Sequence, residues 1–150
     1  MDVQIRRLQP GDEQLALQVV LDVKPEEERN GREPTIGHLH RMLSQDSNYV
    51  IAAIIDGAPV GYLTGYRMPA LECNASMAYL FEIEVLAAHR RRGIGKRMIE
   101  RFKMVCLESD VTDIWVGTDN PNVAAKRLYE STGAVMVETD LCEYVYDLTT

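Results

Sequence analysis

The segment that most restricts this chain runs from Met77 to Lys96. An apolar strand-like stretch, Met77–Val85, passes through a short turn into Arg90-Arg91-Arg92-Gly93-Ile94-Gly95-Lys96. A helical pattern follows over residues 93–108, with Ile94, Met98, Phe102 and Val105 or Cys106 on one face. The first amides of a helix have no internal acceptor, and with the helix dipole they favour a bound anion. Gly93 and Gly95 let backbone approach a phosphate closely, at a helix cost of roughly 1 kcal/mol each. Arg90, Arg92 and Lys96 add charge-assisted donors. The spacing is neither GxxxxGK[ST] nor GxGxxG. A basic helix start that only meets solvent is the competing reading, and two glycines there weigh against it.

The rest of the pattern places this turn in one domain, residues 1–150. Val3–Leu8 reads as a strand, residues 12–22 as an amphipathic helix, and residues 23–34 as a polar loop. Thr35 is placed to cap a helix through about Gln45. Tyr49–Ile55 and Ala58–Tyr66 are strands joined at Asp56-Gly57, a hairpin signal. A strand at Asp113–Gly117, a helix at Pro121–Ser131 ended by Gly133, and a strand pair at Ala134–Glu138 and Glu143–Leu148 complete the order. The fold class is therefore α/β (α+β): a mixed, mostly antiparallel sheet of about six to seven strands flanked by about four helices.

Net charge is −7 over 150 residues, which by itself disfavours nucleic acid. The charge is uneven, however. Residues 89–103 hold seven basic side chains and one acidic one; the remaining chain holds nine basic and twenty-two acidic. A small basic patch sits in an acidic protein, which fits an anionic cofactor and a cationic small-molecule partner. The first residues lack the apolar core of a secretory signal, and no apolar run reaches membrane-spanning length, so a cytoplasmic location is expected. Cys73, Cys106 and Cys142 form no zinc-binding set with His38, His40 and His89, and no metal is expected. Cys106 lies in the apolar helical pattern and reads as core, and His89 as a turn residue.

Arg90-Arg91-Arg92-Gly93-Ile94-Gly95 resembles the R/Q-x-x-G-x-G/A signature of the GNAT N-acetyltransferases, which bind the pyrophosphate of acetyl-CoA. Asn122-Val-Ala-Ala125-Lys-Arg-Leu128-Tyr129-Glu130-Ser-Thr-Gly133-Ala134 resembles a second block of that family, with Ala134 in place of its usual aromatic. The element order is also similar to the GNAT order. The resemblance implies acetyl-CoA as cofactor, held by Ile83, Val85, Arg90, Arg91, Arg92, Gly93, Ile94, Gly95, Lys96, Asn122 and Tyr129. It implies a fourth strand that splays from the fifth, with the Ile83 amide facing the thioester carbonyl. Tyr129 is implied as proton donor to the coenzyme A thiolate; a core aromatic is the alternative. Asn122 is implied to contact the pantetheine arm; a helix cap is the alternative.

Glu82 and Glu84 alternate with Phe81, Ile83 and Val85, so they share a strand face. Either can serve as general base, and Glu82 is favoured, with Glu84 as substrate contact or relay. Within the family the chain looks most like the short aminoglycoside 3-N-acetyltransferases, through Val60–Pro69 and Tyr79–Arg92. It departs from them in having Glu82 where they carry aspartate, and in a longer last strand pair around Thr139–Cys142. That likeness implies a polycationic acceptor. Glu82, Glu84, Asp119, Glu138, Asp140 and Glu143 are the candidate contacts, with Glu26–Glu28 and Glu33 in the loop. Polyamines, amino acids and protein N-termini are the alternative amines, and a homodimer is a family expectation.

Overall fold

The computed structural model describes residues 2–149. It contains two compact units, Met1–Gly117 and Thr118–Thr150.

The first unit is built on a five-stranded sheet, in the order β1-β2-β3-β4-β5. The strands are β1 (Gln4–Arg7), β2 (Asn48–Ile55), β3 (Ala58–Pro69), β4 (Ser76–Val85) and β5 (Val111–Trp115). The first four pair antiparallel; β4 and β5 pair parallel. A parallel neighbour needs a crossover, and helix α4 (Ile94–Leu107) supplies it. The Asp56-Gly57 hairpin forms with positive φ at both residues, as a tight two-residue turn requires.

Each face of the sheet is covered by a different part of the chain. On one, Ile94, Met98 and Phe102 of α4 are buried, and Phe102 packs edge-on against Tyr49 at 5.4 Å between ring centroids. Gly61 and Gly65 of β3 are the small residues that let α4 approach. A Cβ at Gly65 would stand 2.5 Å from Phe102 Cζ. The other face carries a core of Leu8, Val19, Leu39, Leu43, Val50, Ala52 and Tyr62 under α1 (Glu13–Asp22) and α3 (Ile36–Ser44). Thr35 caps α3, its hydroxyl accepting from the His38 amide at 3.1 Å. The loop expected over residues 23–34 contains one short helix, α2 (Glu26–Arg29). Cys106 is buried, and burial pushes its thiol up to about 11, as befits core packing rather than chemistry.

In the second unit, α5 (Val123–Ser131) forms and ends before Gly133, whose φ of 98° suits glycine. The strand pair expected at Ala134–Glu138 and Glu143–Leu148 does not form, so the sheet has five strands rather than six or seven. The side-chain-to-backbone hydrogen bonds of this stretch fall beside the two expected strands, where they hold local turns. The Glu138 carboxylate accepts from the amides of Thr139 and Asp140, and Asn120 Nδ2 donates to the Thr139 carbonyl. The Asp147 carboxylate likewise accepts from the Thr149 amide.

Candidate active site

The site in the first unit starts from an interruption in β4. Along β3, Thr64 pairs with Glu82 but Gly65 pairs with Leu80, so Phe81 is an extra residue, a β-bulge. Before the bulge, Ser76, Ala78 and Leu80 are buried, Leu80 opposite the Gly65 that faces α4. After it the phase reverses: Ile83 and Val85 pair with Leu63 and Gly61, on the α4 face, and Glu82 and Glu84 pair with Thr64 and Tyr62 on the other. The expected alternation of Glu82 and Glu84 with Ile83 and Val85 is found. Phe81 breaks it, because its ring meets that of Tyr66 edge-on at 5.9 Å, on the side that carries the carboxylates. An extra residue leaves no mark in a hydrophobic pattern this short.

The bulge also marks where β4 loses a neighbour. Pairing with β5 covers only Ser76–Tyr79. Leu86 donates its amide to Val60 of β3 at 2.9 Å. Amides alternate along a strand, so those of Glu82 and Glu84 also point to β3, and those of Ile83 and Val85 point away from it. The Val85 carbonyl, on the same outer side, accepts from Arg90 Nε at 2.8 Å. Strand β4 therefore presents an open edge of backbone donors where the sequence placed Ile83 and Val85.

That edge leads directly into the basic turn. Ala87–His89 form one turn of 3-10 helix, and α4 begins after Gly93. Gly93 has φ 75°, a left-handed conformation, and no heavy atom lies within 4 Å of where its Cβ would be. The amides at the start of α4 are thus approachable by an anionic group. Arg91, Arg92 and Lys96 are exposed there. Arg90 is committed differently: its guanidinium also pairs with Glu84 Oε1 at 2.8 Å, tying the turn back to β4. Gly95 is partly buried and the Ile94 side chain is buried, so Ile94 offers a ligand only its amide.

On the carboxylate face, Glu82 is engaged by a residue that sequence reasoning missed. Lys24, in the connection from α1 to α2, places Nζ 2.6 Å from Glu82 Oε2. Burial alone would lower the Lys24 pKa, but the Glu82 and Glu28 carboxylates hold it above its ordinary value. The Tyr62 and Tyr66 hydroxyls are both pushed up, first by burial and then by the charge of Glu82, so both stay neutral. Thr64 Oγ1, opposite Glu82, is buried without a hydrogen-bond partner. Tyr79 and Trp115, paired across β4 and β5 just before the bulge, are partly exposed. No sequence signal links Lys24 to Glu82, which lies 58 residues away.

The second unit holds the other candidates. Asn122 caps α5, its Oδ1 accepting from the Ala125 amide at 3.1 Å. Tyr129 is partly buried on α5. Asp119, Glu138, Asp140 and Glu143 are exposed, the last three on irregular chain rather than on the expected strands. The Glu138 carboxyl is held below its usual range by the Asp140 and Thr139 amides.

The sequence profile of the acetyltransferase (GNAT) family matches residues 15–134. An uncharacterised N-acetyltransferase of Archaeoglobus fulgidus is 31% identical over 93 residues, covering 60% of this chain and 62% of that protein. An L-2,4-diaminobutyric acid acetyltransferase of Streptomyces avermitilis is 33% identical over 82 residues, covering 54% of this chain and 44% of that one. These matches span less than two thirds of either relative's length. Among solved structures, an aminoglycoside acetyltransferase from an uncultured soil metagenomic sample, in complex with sisomicin, aligns with TM-score 0.87. It is 26% identical, over 98% of this chain and 97% of that one.

Proposed function

The chain belongs to the acetyltransferase (GNAT) family, and on that premise we propose that it moves an acetyl group from acetyl-CoA to a primary amine of an aminoglycoside, the 3-amino group of the 2-deoxystreptamine ring. The observation that carries this reading is the pairing of Glu82 with an ammonium beside the open edge of β4. A carboxylate that already holds one amine, flanked by Glu84, Tyr62 and Tyr66, suits the capture of another. Acidic residues and exposed aromatic rings on one face fit a polycationic sugar. The likeness to the sisomicin-bound acetyltransferase supports the same acceptor class.

Acetyl-CoA supplies the activated thioester. The residues fit it: strand-edge amides for an extended amide-bearing arm, and an open glycine turn with helix-start amides and arginines for phosphates. The Ile83 amide is positioned to donate to the carbonyl oxygen as negative charge grows there, a contact whose loss typically costs about 3–4 kcal/mol. Glu82 accepts the proton of the acceptor ammonium, and Glu84 orients the acceptor. Tyr129 donates a proton to the departing thiolate, and Asn122, with Oδ1 used in its cap, has Nδ2 for the cofactor arm. Asp119, Glu138, Asp140 and Glu143 add negative charge toward a polycation.

The test is an acceptor panel read by coenzyme A thiol release, with the product position fixed by NMR. Transfer to aminoglycosides at the 3-amino group is expected. Transfer to spermidine or 2,4-diaminobutyrate with none to any aminoglycoside overturns the acceptor. Tyr129→Phe is expected to bind acetyl-CoA normally yet slow transfer on the order of 10²-fold; wild-type turnover removes its role.

A further inference from the structure

Lys24 makes the contacts that an acceptor ammonium would make. Its Nζ lies 2.6 Å from Glu82 Oε2, 3.4 Å from Glu28 Oε2 and 3.5 Å from the Tyr62 hydroxyl, and 6.0 Å from the centroid of the Tyr62 ring. Only 24% of the side chain is exposed. A primary ammonium is thus held by a charge-assisted hydrogen bond to the carboxylate proposed as base, with an aromatic ring nearby. The residue that follows Glu82 is Ile83, whose amide is the proposed carbonyl donor. The other lysines stand elsewhere: Lys96 at the start of α4, Lys103 against Glu100, and Lys126 against Asn120.

We propose that Lys24 is an internal acceptor, so that without an external amine the protein acetylates its own Lys24 Nζ from acetyl-CoA. This rests on the reading of Glu82 as the base. Glu82 takes one proton from the Lys24 ammonium, and the freed lone pair forms a C–N bond to the thioester carbonyl carbon. The C–S bond breaks and sulfur keeps its electron pair. The nitrogen loses a second proton, which matches the one that sulfur takes up. The products are Nε-acetyl-lysine, coenzyme A and one proton. The modified side chain is neutral, so it no longer pairs with Glu82. Because Glu82 and Glu28 keep Lys24 charged, the modification runs slower than transfer to an external acceptor.

The full chain, incubated with acetyl-CoA alone, is read by intact mass and peptide mapping. One acetyl group per chain is expected, on Lys24 ahead of Lys96, Lys103 and Lys126. Saturating sisomicin, or Glu82→Gln, should slow it about tenfold or more. Lys24→Arg should take no label. An unmodified Lys24, or label spread over the four lysines as in heat-denatured chain, overturns the proposal. Thiol release with added amines separates the two readings. Transfer to an amine while Lys24 stays unmodified sinks the internal acceptor alone. Acetylated Lys24 with no transfer to any amine sinks the external acceptor and leaves Lys24 as the site's substrate.

Discussion

The two halves of β4 face opposite demands. Ser76–Leu80 has neighbours on both edges or a glycine opposite it, and its alternate side chains are buried under α4. Phe81–Val85 has β3 on one edge only, and turns two carboxylates to the other face of the sheet. The first half anchors the strand and the second carries the carboxylates and amides of the proposed site. One extra residue, Phe81, separates them, and it sets both the reversal of faces and the place where backbone donors become available.

That contrast breaks most visibly at Glu82 and Leu80. Glu82→Gln should lower kcat about 10²- to 10⁴-fold, with a thermal midpoint close to wild type. Leu80→Ala should do the reverse, costing about 2–5 kcal/mol of stability in urea, while the folded fraction retains its turnover. If Glu82→Gln unfolds the protein, or Leu80→Ala abolishes turnover in folded protein, the division of labour is wrong. Gly65→Ala drives a methyl group against Phe102 and should cost about 1–3 kcal/mol. An unchanged urea midpoint would show that α4 is not seated there.

Smaller effects sharpen the comparison at its ends. Arg90→Ala should change stability by less than about 1 kcal/mol, since the Arg90 side chain of the pair is exposed, yet weaken acetyl-CoA binding several-fold. Calorimetric titration checks it, and unchanged affinity would leave Arg90 without a role in phosphate binding. At the anchored end, the Arg67 hydrogen bond holds the Asp46 carboxyl below its ordinary value of 3.8. Its contribution is therefore full above that value and is lost as pH falls through the depressed one. The Asp46 carboxylate is exposed to water although Arg67 is largely covered, so Asp46→Asn should change stability by only a few tenths of a kcal/mol, about 0.2–0.5. The difference from wild type should vanish in strong acid.

The glycine-bearing basic turn, the helix after it and the hairpin at Asp56-Gly57 were all legible in the sequence, because each depends on spacing within a few residues. The Thr35 cap was legible for the same reason. The final strand pair was not: Tyr144-Val145-Tyr146 is a strand-like apolar run, yet it is exposed and irregular, because a strand forms only where a neighbour pairs with it. For Asn122 the sequence offered both a cap and a cofactor contact, and the cap is what its Oδ1 makes.

By itself the sequence determined the local devices: a strand, a glycine-bearing basic turn and a helix with one apolar face. Only the tertiary structure decided which way Glu82 faces, where β5 stops pairing, and that Lys24 meets Glu82 from 58 residues away. Periodicity reports neighbours along the chain, whereas a bulge shifts register by one residue and changes which neighbours meet across it.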